Sequence, residues 1–224
     1  MILYVVTETE AKYRASTDCA RIKHTLEAQA RDLCLILHFS QLSRKRIAEL
    51  QPWAICHSGG ATPHAEYNVL THRGYRWVTR TCNIPQIGFC GGHQIIAAHY
   101  GAELGDMHRL RPDEPDLNPE YLPGLYKEWG VFPIEVVRPD PIFKGLPKTL
   151  LMQERHRHEV KTLPAQFHLL ASTPNCKIQA YVHRKKPLYG VQFHPESVPA
   201  TYPHGPALLR NFFAIARAHQ QAGQ

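Results

Sequence analysis

No stretch of this chain is apolar for long enough to cross a bilayer. The longest runs, such as MILYVV at 1–6 and CLIL at 34–37, fall far short of the ~20 residues that a spanning helix needs. The N-terminus lacks a basic region leading into an apolar stretch and a small-residue cleavage site, so no secretory signal is expected, and the cytoplasm is the expected location. No two of the six cysteines (Cys19, Cys34, Cys56, Cys82, Cys90, Cys176) form a CxxC pair, which favours reduced thiols over a disulfide framework. The net charge is +7, yet no basic run exceeds RHR or HRKK and acidic residues are interleaved, so neither nucleic acid nor a membrane is expected as a partner. There is no internal repeat, no low-complexity tract and no H-E-x-x-H.

What remains is an ordinary globular composition, 43% hydrophobic and 20% charged over 224 residues, enough for one sizeable core. MILYVV, CLILHF (34–39), WAICHSGG (53–60) and PQIGFC (85–90) read as strands. Helical spacing accompanies them: 18–31, with Asp18 as N-cap; 43–50, opened by Ser43; 65–80, weakened by Gly74; and GHQIIAAHYG (92–101), ended by Gly101. Strand alternating with helix predicts a parallel sheet covered on both faces. In the second half, GVFPIEVV, TLLMQE, FHLLAST, IQAYVHR and LYGVQFH are short strands. Residues 105–130 carry four prolines and read as a surface excursion. From Gly205 to Gln220 a helix is expected, with Leu208, Leu209, Phe212, Phe213 and Ala216 on its apolar stripe. The expected fold class is α/β: a central, mostly parallel, flavodoxin-like sheet with helices on both faces, plus short antiparallel strands in the second half.

Three stretches carry chemistry. In PQIGFCGGHQII (85–96) a cysteine sits at a strand-to-helix junction with Gly88 two residues before it and Gly92 two after. A tight turn there projects the sulfur, the helix N-terminus favours a thiolate, and the backbone N–H groups beyond it face a developing oxyanion. The glycines give the room such an elbow needs. By itself the pattern equally fits a small buried cysteine in a loop. In YGVQFHPES (189–197), His194 at a strand end with Glu196 two residues on supplies a base and a carboxylate to orient it. Singly, this is also a strand-end histidine beside a solvated glutamate. In HSGGATPH (57–64), Gly59 and Gly60 leave N–H groups at the carboxyl edge of the sheet, where sites in such folds collect.

Taken together, HSGGA, PQIGFCGGHQIIAAHYGAELG and YGVQFHPES resemble the class I (triad-type) glutamine amidotransferases. MQERHRHEVKTLP and GPALLRNFF are similar to parts of the amidotransferase domain of GMP synthetases, and the resemblance spans about residues 50–215. It implies one amidotransferase-like domain over 1–224, with Cys90 as nucleophile, His194 as base then acid, and Glu196 as its orienting carboxylate. It further implies an oxyanion hole from the N–H groups of Gly60 and Gly91, Gln94 holding the substrate, and His156 as a family histidine near the acceptor-side surface. The chain departs from the pattern at Gly91, where a bulky residue is usual, and at Ala61, where proline is usual.

The implied reaction is hydrolysis of the glutamine side-chain amide through a cysteinyl thioester, needing neither a redox nor a metal cofactor. The expected ligand is glutamine or another γ-glutamyl compound. Because the sequence stops soon after the closing helix, the ammonia acceptor is expected to be a separate synthase. A stand-alone γ-glutamyl hydrolase or peptidase, and a catalytically silent regulatory protein on the same fold, are the other readings. ERHRHE (154–159) puts two histidines on one strand face but offers no clear third ligand, so no metal is expected. His57, His64, His72 and His93 read as surface or loop residues, three of them near the motifs, and Cys56 as core.

Overall fold

The computed structural model describes residues 1–197 and 201–222. Its strands are β1 (Ile2–Val6), β2 (Cys34–His38), β3 (Ile55–His57), β4 (Gln86–Phe89), β5 (Leu104–Asp106), β6 (Glu128–Val136), β7 (Thr149–His156), β8 (His158–Val160), β9 (Phe167–Ser172), β10 (Ala180–His183) and β11 (Leu188–Val191). Its helices are α1 (Glu10–Ala15), α2 (Asp18–Ala30), α3 (Arg44–Leu50), α4 (Arg73–Thr81), α5 (Gly91–His99) and α6 (His204–Ala222). No helix among the described residues is long and apolar enough to cross a membrane.

Nine strands form one sheet in the order β2-β1-β3-β4-β11-β10-β9-β6-β7. The run β2-β1-β3-β4-β11 is parallel throughout, and the pairings from β11 outward to β7 are antiparallel. β5 and β8 make a separate antiparallel pair. The expected fold class holds, and the short second-half strands extend the same sheet.

Alternation along β1 sets the two layers. Ile2, Tyr4 and Val6 face α2 and α6, packing with Leu26, Leu208, Leu209 and Phe212. Leu3 and Val5 face α3, α4 and α5, packing with Ile47, Tyr75, Val78 and Ile95. Strands buried on both faces have no polar alternation, which is why MILYVV reads as a continuous apolar run.

The local differences from expectation have visible causes. Thr17, not Asp18, precedes α2, and the Asp18 carboxylate bonds the Arg21 guanidinium instead. The helix expected over 65–80 is confined to α4, preceded by 3₁₀ turns at His64–Glu66 and Asn68–Leu70. The imidazole of His72 accepts from Tyr75 N–H at 3.1 Å, so that side chain starts the helix where the apolar spacing alone gives no stop. β11 ends at Val191, three residues short of His194. The excursion after β5 is closed by a bridge between Arg109 and Leu125, and it buries Met107, Tyr126 and the Lys127 side chain rather than running wholly over the surface.

Candidate active site

The carboxyl ends of β1, β3, β4 and β11 meet at one edge, and the three sequence motifs converge there. Cys90 joins β4 to α5. Its φ of 44° and ψ of −103° lie in a region that side chains rarely adopt. The backbone is held there from both sides: Cys90 N–H donates to the Val191 carbonyl at 2.9 Å, and the Cys90 carbonyl accepts from Gln94 N–H at 3.0 Å. A Cβ on Gly88 would lie 2.5 Å from the carbonyl carbon of Gly92, and one on Gly92 would lie 2.7 Å from the His57 carbonyl oxygen. Both glycines are therefore steric requirements of the elbow.

His194 hangs from the antiparallel part of the sheet, its N–H donating to the Gln153 carbonyl at 2.9 Å. Its Nδ1 pairs with Glu196 Oε1 at 2.8 Å, and it lies beside Cys90: a Cβ on Gly59 would meet His194 Cε1 at 2.9 Å and Cys90 Cβ at 3.5 Å. Burial alone pulls the imidazole down. The Glu196 carboxylate and the Cys90 sulfur outweigh it and hold His194 well above the ordinary histidine range. Glu196 is 4% exposed, so it is a buried partner rather than a solvated turn residue.

Gly60 and Gly91 come together as well. A Cβ on Gly91 would lie 2.9 Å from Gly60 N, so the residue after the cysteine has no room for a side chain against this loop. The departure at Gly91 thus follows from how closely the glycine loop approaches. Gln94 is buried, and its amide donates to the His158 carbonyl at 2.6 Å and to Gln192 Oε1 at 3.0 Å.

Cys90 stands between two cavities. One, of about 310 Å³, is lined by Gly60, Gln94, His64 and residues 155–158. The other, of about 600 Å³, is lined by His194, Glu196, Glu8, Lys12 and Trp129. Gly60, Tyr121 and Arg155 border both.

His156 is not at a surface. It is 4% exposed, with Nε2 at 2.9 Å from Glu128 Oε2 and 3.3 Å from Glu154 Oε2. Its Nδ1 donates to the His158 carbonyl at 3.2 Å. Burial lowers its proton affinity, but Glu154 and Glu128 more than reverse this, and its pKa is pushed up to about 10. Burial raises that of Glu154. His158 instead pairs with Asp106 at 3.1 Å, so the two histidines of ERHRHE have separate partners. The third ligand type that the spacing did not reveal is present in space: atoms of Glu128, His156 and Cys176 lie within 4.8 Å of one another. His156 sits between the Glu128 and Glu154 carboxylates there, and neither Glu154 oxygen has a hydrogen-bond partner among the described residues.

His57 and His93 are likewise buried, not surface residues, and burial pulls both down to about 3. His57 bonds Gln86 and Tyr75 in the core. Cys56 is fully buried. Glu8, Tyr121 and Trp129 border the cavities and lie outside every motif, whereas Arg155 lies within ERHRHE. Of the first three, only Glu8 had a readable signal, a carboxylate directly after the first strand.

A family model described as glutamine amidotransferase class-I matches residues 17–216. A GMP synthase [glutamine-hydrolyzing] subunit from Pyrococcus furiosus is 36% identical over 172 residues, covering 75% of this chain and 78% of that protein. The solved structure of a candidate GMP synthase subunit from Thermoplasma acidophilum superposes with a TM-score of 0.76 at 26% identity, covering 100% of this chain and 97% of the other. A glutamine amidotransferase structure from Thermotoga maritima shares the fold, with a TM-score of 0.63 at 15% identity, covering 100% of this chain and 85% of that one.

Proposed function

This chain belongs to the class-I glutamine amidotransferase family, and we propose that, as one domain, it hydrolyses the glutamine side-chain amide and supplies ammonia to a separate synthase subunit. The observation that carries the reading is the Cys90 elbow at φ 44° beside an imidazole held at 2.8 Å by Glu196. Cys90 passes its thiol proton to His194 as Sγ attacks the amide carbon of glutamine, and the carbonyl electron pair moves onto oxygen, facing the N–H groups of Gly60 and Gly91. As the carbonyl re-forms, the C–N bond breaks and His194 protonates the departing nitrogen. Water then adds to the thioester, giving its proton to His194, and glutamate leaves as the thiol is regenerated. Glu196 holds the imidazole in the tautomer and orientation that both half-reactions need. These steps use no redox or metal cofactor.

The cavities support a division of labour. Gln94 and residues 155–158 border the smaller one, which would take the glutamyl part. His194 borders only the larger one, so the amine leaves on that side. The likeness to glutamine-hydrolyzing GMP synthase subunits supports a synthase partner of that type as the acceptor. The size of the leaving-group cavity favours a second reading, a γ-glutamyl hydrolase that releases larger amines. Assaying glutamine against γ-glutamyl peptides, with and without a GMP synthase-type partner, separates the two. Labelling of Cys90 by a glutamine-analogue electrophile excludes a silent regulatory protein.

A further inference from the structure

Glu8 takes no part in these steps, yet its carboxylate is spent on the glycine loop. It follows β1 at the carboxyl edge and accepts from Ala61 N–H, from Thr62 N–H at 3.0 Å and from the Thr62 hydroxyl at 2.6 Å. Lys12 Nζ lies 2.6 Å from that hydroxyl and 3.9 Å from the carboxylate. One residue earlier, Thr7 N–H donates to Ser58 Oγ at 2.9 Å, and the Thr7 hydroxyl donates to the Ser58 carbonyl at 3.1 Å. The loop from Ser58 to Thr62 is thus fastened to the end of β1 on both sides of Gly60. A Cβ on Gly60 would lie 3.5 Å from the Glu8 carboxylate.

A pair of glycines loses much backbone freedom when it is ordered, and an oxyanion donor works only if its N–H is already in place. Something must therefore hold Gly60 still. Burial raises the pKa of Glu8, but the bonds from Thr62 and Ala61 outweigh it and keep the carboxyl below its ordinary range. At neutral pH the bonds to the loop are charge-assisted and correspondingly strong.

We propose that Glu8 is a positioning residue: by gripping Ala61 and Thr62 it fixes the Gly60 N–H where the oxyanion forms. This rests on the glutaminase reaction proposed above. It predicts damage confined to the transition state. In Glu8→Ala the glutamine kcat falls by about ten- to a hundredfold, the cost of displacing a catalytic group by a fraction of an ångström to an ångström. KM changes little, because the loop N–H bonds the oxyanion more strongly than the ground-state carbonyl.

The test compares wild type, Glu8→Ala and Glu8→Gln in glutamine turnover and in binding of glutamate γ-semialdehyde. Cys90 Sγ adds to that aldehyde carbon, the carbonyl pair moves to oxygen, and the thiol proton reaches it through His194. The adduct therefore places its oxygen in the same hole. Semialdehyde affinity is expected to fall in Glu8→Ala by the same factor as kcat/KM. Glu8→Gln keeps a carbonyl acceptor for both backbone N–H groups and is expected to retain most activity. Unchanged kcat in Glu8→Ala overturns the proposal. So does reduced kcat with unchanged semialdehyde affinity, or a Glu8→Gln protein as impaired as Glu8→Ala. If Glu8→Ala does not fold, Thr62→Val is judged by the same criteria, with a smaller loss expected. A wild type that releases no ammonia from glutamine, with or without its partner, overturns the reaction and the role of Glu8 together. An active wild type with an unimpaired Glu8→Ala overturns the role of Glu8 alone.

Discussion

Gly88 and Gly92 flank Cys90 so closely that a Cβ on the first would meet the carbonyl carbon of the second at 2.5 Å. The contact is backbone against side chain, with no flexible end to move aside. Gly88→Ala is expected to cost about 1–3 kcal/mol or more of stability, as overpacked interiors do, and to lower turnover further by displacing Cys90. Denaturant unfolding beside a glutaminase assay checks this. A variant of wild-type stability and rate contradicts it.

Cys90 holds a backbone conformation that favours glycine. Cys90→Gly is expected to relieve strain on the order of 1 kcal/mol while abolishing turnover. Thermal melting of the two proteins reads out the first effect. A lower melting temperature in the variant contradicts the account of the elbow.

Glu196 raises the proton affinity of His194, against the pull of burial. Glu196→Gln removes that support, so the imidazole gives up its proton at lower pH. The high-pH limb of kcat/KM should move down in pH, and the rate should fall by about 10²–10⁴. An unmoved limb argues that Glu196 does not act through His194.

His156 lies between Glu128 and Glu154 with its pKa near 10, above the 6.5 expected of an unperturbed histidine. A group raised in the folded state adds stability that is complete below pH 6.5 and fades as pH rises through about 10. The difference in unfolding free energy between wild type and His156→Gln should therefore be largest below pH 6.5 and shrink toward pH 10. A difference that grows with pH contradicts the ion pair.

The site was legible where the chemistry imposes local spacing. Gly88, Cys90 and Gly92 are constrained by one turn, and His194 and Glu196 by a two-residue step, so a linear motif contains each relationship. The layers were legible because β1 is buried on both faces and α6 on one stripe. What stayed hidden depends on long-range contact. His57 and His93 look polar in sequence but are buried by a sheet and a helix that only folding brings over them. His156 meets Glu128 because β6 pairs with β7, a register no local pattern announces. Glu8 joins the site because β1 neighbours β3, which places the end of one strand beside the loop leaving the other. The start of α4 turned on the imidazole of His72 acting as a cap, a role its residue type seldom takes.

The central claim is that glutamine is cleaved through a covalent bond to Cys90. Acid-quenching the enzyme during glutamine turnover and mapping its peptides by mass spectrometry tests it directly. One glutamyl group is expected on the peptide containing Cys90, formed as ammonia is released, and neither adduct nor ammonia in Cys90→Ala. Ammonia released at the wild-type rate by Cys90→Ala, or turnover by the wild type with the glutamyl group carried elsewhere, would contradict it.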